Sequence, residues 1–275
     1  MSVIDLQTTI LWVRSLAGIS LFIGCLEELA GLRNYSAAGV FSWNVFQTQF
    51  PEAALPPLRH GLGRLFSYNG VRALLCCQMA AILLLLVPSQ SSWFYIGPVA
   101  TILAIKLLLA YRSGYGSDGS DQMETMVLSG LLVALCFAHS KAANLGVWFI
   151  AMQAALAYAV SGLSKLVAPA WTHGEAMFKI FNTYTYGNRW VAGLLRNAPT
   201  LNLLLCWSVI VYESLFPLAL VGSTGVMWLI LGLGALFHLL NAFIMGLNKF
   251  FWAFVSTYPA LIYCHSLAIR YMGHK

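Results

Sequence analysis

Apolar runs of roughly 20 residues recur along the whole chain, and this feature most limits what the chain can fold into. A helix of that length crosses a hydrocarbon layer about 30 Å thick. Only 9% of the 275 residues are charged and the mean hydropathy is +0.76, whereas a soluble domain has about 25% charged residues. The sequence therefore predicts an all-α, polytopic transmembrane helical bundle that is one domain over residues 1–275, without a separate soluble domain.

The apolar runs predict about eight spans. Their expected ranges are Thr9–Ala30, Val71–Val87, Trp93–Ala110, Glu124–Ala138, Leu145–Leu166, Leu201–Val221, Gly225–Gly246 and Phe250–Ile269. Two connections, residues 31–70 and 167–200, are long and hold both aromatic and basic residues. That mixture is typical of the headgroup region, so we expect interfacial helices in both long loops.

The net charge of +6 comes from 15 Lys and Arg against 9 Asp and Glu. These charges lie mainly in short loops beside the spans, where membrane topology and anionic lipid headgroups account for them. We therefore expect membrane lipids and no nucleic acid as partners, and a multi-pass protein of the cell membrane. The positive-inside rule places residues 31–70, 111–123 and 167–200 and the turn at Lys249 in the cytoplasm, with both termini outside.

Ionisable side chains inside the spans are informative because a charge at the bilayer centre costs at least about 2.5 to 3.5 kcal/mol. For several of them, near span ends, we expect snorkelling, a local salt bridge or an interfacial position; these are Arg14, Glu27, Glu28, Lys106 and His265. Three others are candidates for function: Lys165, Glu213 and His238.

Glu213 and His238 lie near the middle of the sixth and seventh predicted spans. Asn241 follows His238 by three residues and shares its helical face. A polar stripe facing the bundle interior is a hydrogen-bonding surface. It serves either a reaction or the adhesion of helices, and the position of these residues leaves both interpretations open.

Lys165 ends the fifth predicted span, where Pro169 terminates the helix. Gly162 permits close approach of another helix, and Trp171 and Gly174 follow just beyond. A lysine desolvated at the mouth of the bundle can act as a base or bind an anionic oxygen. The alternative is an ordinary lysine that snorkels at a helix exit.

The polar segment at residues 115–125 carries Asp118, Asp121 and Glu124. Such a density of carboxylates raises the question of a metal site, but the spacing of a calcium-binding loop is absent. Asp121 followed by Glu124 ahead of an apolar run fits a helix capping box. We predict a cap and no metal site.

Three stretches of the second half carry a family resemblance: YAVSGLSKLVAPAWTHGEAM, YESLFPLAL and LFHLLNAFIMGLNKFFWAF. They resemble the membrane domain of vitamin K-dependent gamma-carboxylases and their bacterial relatives, the horizontally transferred transmembrane (HTTM) family, which includes proteins similar to sporulation-delaying protein B. The resemblance implies that Lys165 is the base that starts oxidation of a reduced, vitamin K-like quinone. It also implies cofactor contacts at Trp171 and Gly174, and a functional histidine with its asparagine at His238 and Asn241.

Two functional hypotheses follow. The first is a membrane enzyme that acts on a lipid quinol, or modifies a membrane-apposed peptide, with Lys165 as base, His238 and Asn241 orienting the reacting oxygen, and Glu213 tuning their charge. The second is a non-catalytic maturation or export partner of a secreted, toxin-like peptide, bound through the aromatic loops. A transporter or channel is not favoured, because the sequence has no inverted repeat and no paired broken helices.

Overall fold

The structure, a computed structural model, describes residues 4–49, 56–89, 91–113, 118–138 and 140–273. Within these ranges the chain is all-α and contains no β-strand. The predicted fold class, a helical bundle, is confirmed.

Eight longer helices form the bundle: α1 (Leu6–Ala30), α4 (Tyr68–Leu86), α5 (Ser92–Ser113), α6 (Gly119–Cys136), α7 (Ala143–Leu166), α11 (Pro199–Leu215), α13 (Thr224–Met245) and α15 (Tyr258–Gly273). Shorter helices lie between them: α2 (Trp43–Phe46), α3 (Pro56–Leu65), α8 (Pro169–Thr172), α9 (Ala176–Phe181), α10 (Arg189–Arg196), α12 (Leu218–Val221) and α14 (Asn248–Val255). Both long loops thus contain short helices, as the sequence predicted.

Five helices in the described ranges are each long and apolar enough to cross a membrane: α1, α4, α5, α7 and α13. Large apolar side chains on their surfaces, such as Leu145, Leu163 and Leu229, are exposed. An apolar exterior of this kind is what a hydrocarbon environment requires. The five helices therefore suggest a membrane protein.

The other three predicted spans differ from a simple continuous helix. α6 has 18 residues, but its first two turns carry Asp121 and Glu124. α11 ends at Leu215, just before Pro217, and α10 meets it at an angle of 115°. The last predicted span is divided into α14 and α15, with Pro259 in the first turn of α15. Proline has no backbone N–H to donate, so it is accommodated in the first turn of a helix, whereas in the interior it removes a backbone hydrogen bond.

The core forms around α1, which packs against α4, α6, α14 and α15. Fully buried aliphatic side chains fill the space between these helices, including Leu21, Ile82, Leu128 and Leu261. α6 and α7 are in close contact at Gly130 and Gly146, where a Cβ on Gly146 would lie 2.2 Å from the Gly130 carbonyl oxygen. Small residues at a crossing allow two helix backbones to come this close.

One end of the bundle collects several segments that are distant in the sequence. Lys249, at the start of α14, contacts Asp121 at the start of α6, and Arg112, near the end of α5, binds the Phe41 carbonyl oxygen of the first long loop. The Asn188 side chain in the second long loop donates to Ile244 at the end of α13. The loops that the charge pattern placed on one side therefore do lie at one end.

Candidate functional site

Lys165 lies in the last turn of α7 and is joined to α11 by a salt bridge. Its Nζ donates to Glu213 Oε2 at 2.5 Å and to Ser161 Oγ, one turn earlier on α7, at 2.5 Å. The approach depends on Gly162, where a Cβ would lie 2.5 Å from the backbone nitrogen of Ser214. The close helix approach predicted from Gly162 is confirmed.

The pair is shielded from solvent, since the Lys165 and Glu213 side chains are only 17% and 7% exposed. Trp171 covers the amine, with Lys165 Nζ 5.1 Å from the ring centroid. An ammonium over an aromatic face is attracted by the ring quadrupole. The structure thus brings three of the predicted site residues together: Lys165, Glu213 and Trp171.

An exposed salt bridge of the same composition lies at the start of α9. Lys179 Nζ contacts Glu175 Oε2 at 2.6 Å, with the side chains 62% and 56% exposed. The hydrogen bond and charge of Lys179 hold the pKa of the Glu175 carboxyl below its usual value. This pair is a matched control for the buried one.

His238 is buried on α13 and faces α7. Its Nε2 forms a 2.7 Å hydrogen bond with the Tyr158 hydroxyl, and its ring stacks on Phe254 with centroids 4.4 Å apart. The other ring nitrogen, Nδ1, is buried and has no hydrogen-bond partner in the described part of the chain. His238 is therefore held in place on one side and left with one unused polar atom.

Two further tyrosine hydroxyls lie beside this contact. At Gly234 of α13, a Cβ would lie 2.3 Å from the hydroxyl oxygen of Tyr212 and 2.5 Å from that of Tyr258. The Tyr158 ring stacks on Phe216 at a centroid distance of 3.7 Å. Glycine at position 234 thus makes room for a cluster of phenols next to His238.

A cavity of about 490 Å³ connects these groups. Its wall includes Glu213 and Ser161, which bind Lys165, and Tyr158, which binds His238. The rest of the wall is largely apolar and comes from α6, α7 and α14, with residues such as Met123, Met126, Leu156, Phe250 and Phe254. Lys165 and His238 are far apart in the sequence, but the hydrogen-bond partners of both residues line the same cavity.

Two of the predicted site residues, Asn241 and Gly174, are not part of the described cavity wall. The Asn241 side chain is partly buried and forms no hydrogen bond within the described ranges. Gly174 has a φ of +79° and packs against Leu203, so its role in the structure is to allow a left-handed turn after α8. Neither residue contributes to the wall of the cavity as described.

Sequence reasoning passed over Tyr158 and Ser161. Both were inside the stretch that carried the family resemblance, and a signal was present in their spacing. Tyr158, Ser161 and Lys165 are separated by three and four residues, which places them on one face of α7. Helical periodicity around the lysine would have found both.

Two of the other ionisable side chains, Arg14 and His265, are more buried than expected, whereas Glu27 is exposed. Arg14 is 6% exposed, and its guanidinium lies 3.8 Å from the centroid of the Tyr95 ring. His265, expected at the interface, is 3% exposed and neither ring nitrogen has a hydrogen-bond partner among the described residues. Lys106 forms the local salt bridge that was one of the expectations.

The acidic segment starts α6, but with a different cap. Asp118 is the N-cap and accepts from the Asp121 backbone N–H, whereas Asp121 and Glu124 form ion pairs with lysines. The expected capping box of Asp121 and Glu124 is wrong, because the helix begins three residues earlier. Within the described ranges, no group of three or more His, Cys, Asp or Glu side chains is placed to hold a metal ion.

Comparisons with protein-family models, with curated proteins and with solved structures find no significant match to this chain. The resemblance to the HTTM family therefore stays a prediction.

Proposed function

We propose that this chain is an HTTM-like enzyme of the cell membrane that acts on a lipid quinol, or on a membrane-apposed peptide, in the cavity between α6, α7, α11 and α14. The observation that carries the proposal is the shared wall of that cavity. The partners of Lys165 and the partner of His238 both line it. Lys165 and His238, which are distant in the sequence, are thereby linked to one cavity of about 490 Å³.

The residues around the cavity fit a reduced quinone. Aromatic and aliphatic side chains suit its ring and tail, while Glu213, Ser161 and Tyr158 offer hydrogen-bonding groups at one part of the wall. When bound, a reduced quinone supplies hydroxyl protons and two electrons. The Nδ1 of His238, buried and without a hydrogen-bond partner in the described part of the chain, is a further polar atom on the ring that binds Tyr158.

The salt bridge gives Lys165 and Glu213 separate roles. As an ammonium ion, Lys165 has no lone pair, so in this arrangement the Glu213 carboxylate is the group that accepts a proton from a substrate hydroxyl. The Lys165 ammonium then stabilises the oxyanion left behind. Tyr158, held by His238, orients the reacting oxygen, and the apolar wall excludes water.

Retention of a quinol tests this function directly. Purified protein is incubated with a naphthoquinol that carries an isoprenoid tail, and the bound quinol is extracted and quantified. We expect Lys165→Ala and Glu213→Gln to lower retention at least about tenfold, the equivalent of about 1.4 kcal/mol. Both variants are compared at equal amounts of folded, monodisperse protein.

The exposed pair supplies the control. Lys179→Ala and Glu175→Gln make the same chemical changes outside the cavity, so both should retain quinol as the unmodified protein does. Equal retention by all four variants, or no saturable retention by the unmodified chain, would refute quinol binding at this site.

A second function is favoured by the exposed aromatic side chains of the second long loop. Tyr184 is fully exposed and Trp190 is 73% exposed. Such side chains suit a non-catalytic maturation or export partner that binds a secreted peptide. A photo-crosslinker at position 184 or 190 that captures a peptide, together with normal peptide maturation by Lys165→Ala, would support this function instead.

A further inference from the structure

A second cavity, of about 330 Å³, is lined by α1, α5, α6 and the first long loop. Its wall includes charged side chains, Glu28, Lys106 and Asp121, and two aromatic ones, Tyr35 and Phe41. The quinol site does not account for this space. Glu213, Tyr158 and Ser161 do not contribute to its described wall.

Lys106 and Asp121 of the cavity wall belong to a cluster of charges from three helices. Lys106 Nζ contacts Asp121 Oδ1 at 2.9 Å and Glu124 Oε2 at 2.7 Å. Lys249 also contacts Asp121 and lies 3.6 Å from Glu124 Oε2. The other Glu124 oxygen accepts from the Ser20 hydroxyl at 2.6 Å. Two cations and two carboxylates are thus matched, and both oxygens of Glu124 are occupied.

Glu28 is a third carboxylate in the same place and has no matching cation. It forms no salt bridge or hydrogen bond with the described part of the chain, and its Oε2 is buried without a partner. An ionised carboxylate buried in this way is destabilising unless a cation or a hydrogen-bond donor reaches it, and without either it takes up a proton. Glu28 is also part of the cavity wall, so a ligand can reach it.

The neighbouring guanidinium does not provide that cation. Arg112 donates to the carbonyl oxygens of Phe41 and Phe66 and lies 4.7 Å from the centroid of the Tyr35 ring. It is fully buried, and its side chain is not part of the described wall of the cavity. Arg112 therefore fixes the first long loop to α5 and forms no ion pair with Glu28 in the described part of the chain.

We propose that this cavity binds an ammonium group, with the Glu28 carboxylate as its counter-ion and Tyr35 and Phe41 as aromatic walls. Aromatic rings beside a carboxylate are a common setting for organic cations. The cavity lies near the C-terminal end of α5. Its wall includes Leu107, whose side chain is 53% exposed on the surface of α5. A site in this position is accessible to the headgroup of an aminolipid as well as to a free amine.

Lipid binding by the purified full chain tests the proposal. Native mass spectrometry compares phosphatidylethanolamine with its N-acetyl derivative, which keeps the phosphate and tails but has no ammonium. We expect the unmodified protein to bind phosphatidylethanolamine at least about tenfold more tightly. Glu28→Gln should abolish the preference. Glu27→Gln, which makes the same change at the exposed neighbouring position, should keep it.

A competition arm identifies the source of the ammonium. Displacement of phosphatidylethanolamine by ethanolamine at low millimolar concentration indicates a site for a free amine, and resistance to ethanolamine indicates the lipid headgroup. Equal binding of the two lipids by the unmodified protein overturns the proposal, as does a full preference in Glu28→Gln. The comparison of lipids needs no variant, so a failure of Glu28→Gln to fold leaves the test intact.

Discussion

At the scale of single residues, the protein buries charged side chains, which is unfavourable for an isolated charge, and pairs them with opposite charges. Lys165 and Glu213 are mostly buried and depend on each other, whereas Lys179 and Glu175 make the same contact in solvent. Breaking a buried pair leaves an uncompensated charge, whereas an exposed pair contributes little. The two pairs should therefore respond very differently to mutation.

We predict that Lys165→Met lowers the free energy of unfolding by about 3 to 5 kcal/mol, because Glu213 then remains buried without its cation. The double variant Lys165→Met/Glu213→Leu should recover most of this loss, since neither charge remains. Lys179→Met should have no measurable effect. Denaturant unfolding in detergent micelles measures all three, and a double variant no more stable than Lys165→Met would contradict the ion-pair explanation.

A second prediction concerns the hydroxyl of Tyr158. Tyr158→Phe keeps the stacking on Phe216 but removes the hydrogen bond to His238, leaving a buried nitrogen unpaired at a cost of about 1 to 3 kcal/mol. It should also weaken quinol retention. Tyr263→Phe loses a comparable bond, to Asn144 Oδ1 at 2.6 Å, away from the cavity, and should retain quinol normally. Equal retention by the two variants would remove Tyr158 from the site.

At the scale of helices, small residues decide where the walls of the cavity stand. Gly130 and Gly146 allow α6 and α7 to touch, and Gly162 allows α7 and α11 to do so. These three helices provide much of the cavity wall, including Tyr158 and Glu213. The separation of the helices therefore sets the distance between the functional groups.

Alanine substitution at two glycines separates helix contact from helix propensity. Gly146→Ala places a Cβ 2.2 Å from the Gly130 carbonyl oxygen, so α6 and α7 must separate, at a cost of about 1 to 3 kcal/mol. Gly232→Ala, in α13, has nothing within 4 Å of the new Cβ and should be neutral or stabilising by up to about 1 kcal/mol. Thermal unfolding in micelles compares them, and equal midpoints would contradict the close contact.

At the scale of the whole molecule, the charge distribution distinguishes the two ends of the bundle. The cluster around Lys106 and the Lys165 pair both lie toward the end that carries the long loops. The opposite end has the connections around Ser89 and Ser140. By the positive-inside rule, we expect the end with the long loops to face the cytoplasm.

Single cysteines introduced into a cysteine-free variant test this topology. Ala38→Cys and Tyr184→Cys should react with a membrane-impermeant maleimide only after the membrane is opened, because we expect both loops to face the cytoplasm. Ser89→Cys and Ser140→Cys should react in intact cells. Labelling of positions 38 and 184 from opposite sides would contradict the arrangement of the helices, and labelling of all four in the reverse sense would contradict only the orientation.

Much of the architecture could be predicted from the sequence, because hydropathy and helix-ending residues act locally. The apolar runs indicated the long helices, Gly162 indicated a close helix contact, and Lys165 and Glu213 were recognised as unusual. The capping of α6 by Asp118 and the division of the last span near Pro259 were missed. Both features depend on details within a single helical turn, namely the hydrogen bond that caps α6 and the position of Pro259 at the start of α15.

By itself, the sequence determined that the chain is helical, apolar on its surface and charged mainly near the helix ends. Only the tertiary structure decided that Lys165 pairs with Glu213, that His238 binds Tyr158, and that Glu28 Oε2 is buried without a partner in the described part of the chain. The physical reason is that hydropathy is a property of neighbours along the chain. Side-chain partners depend on how each helix is rotated about its axis and how closely the small residues let it approach the next.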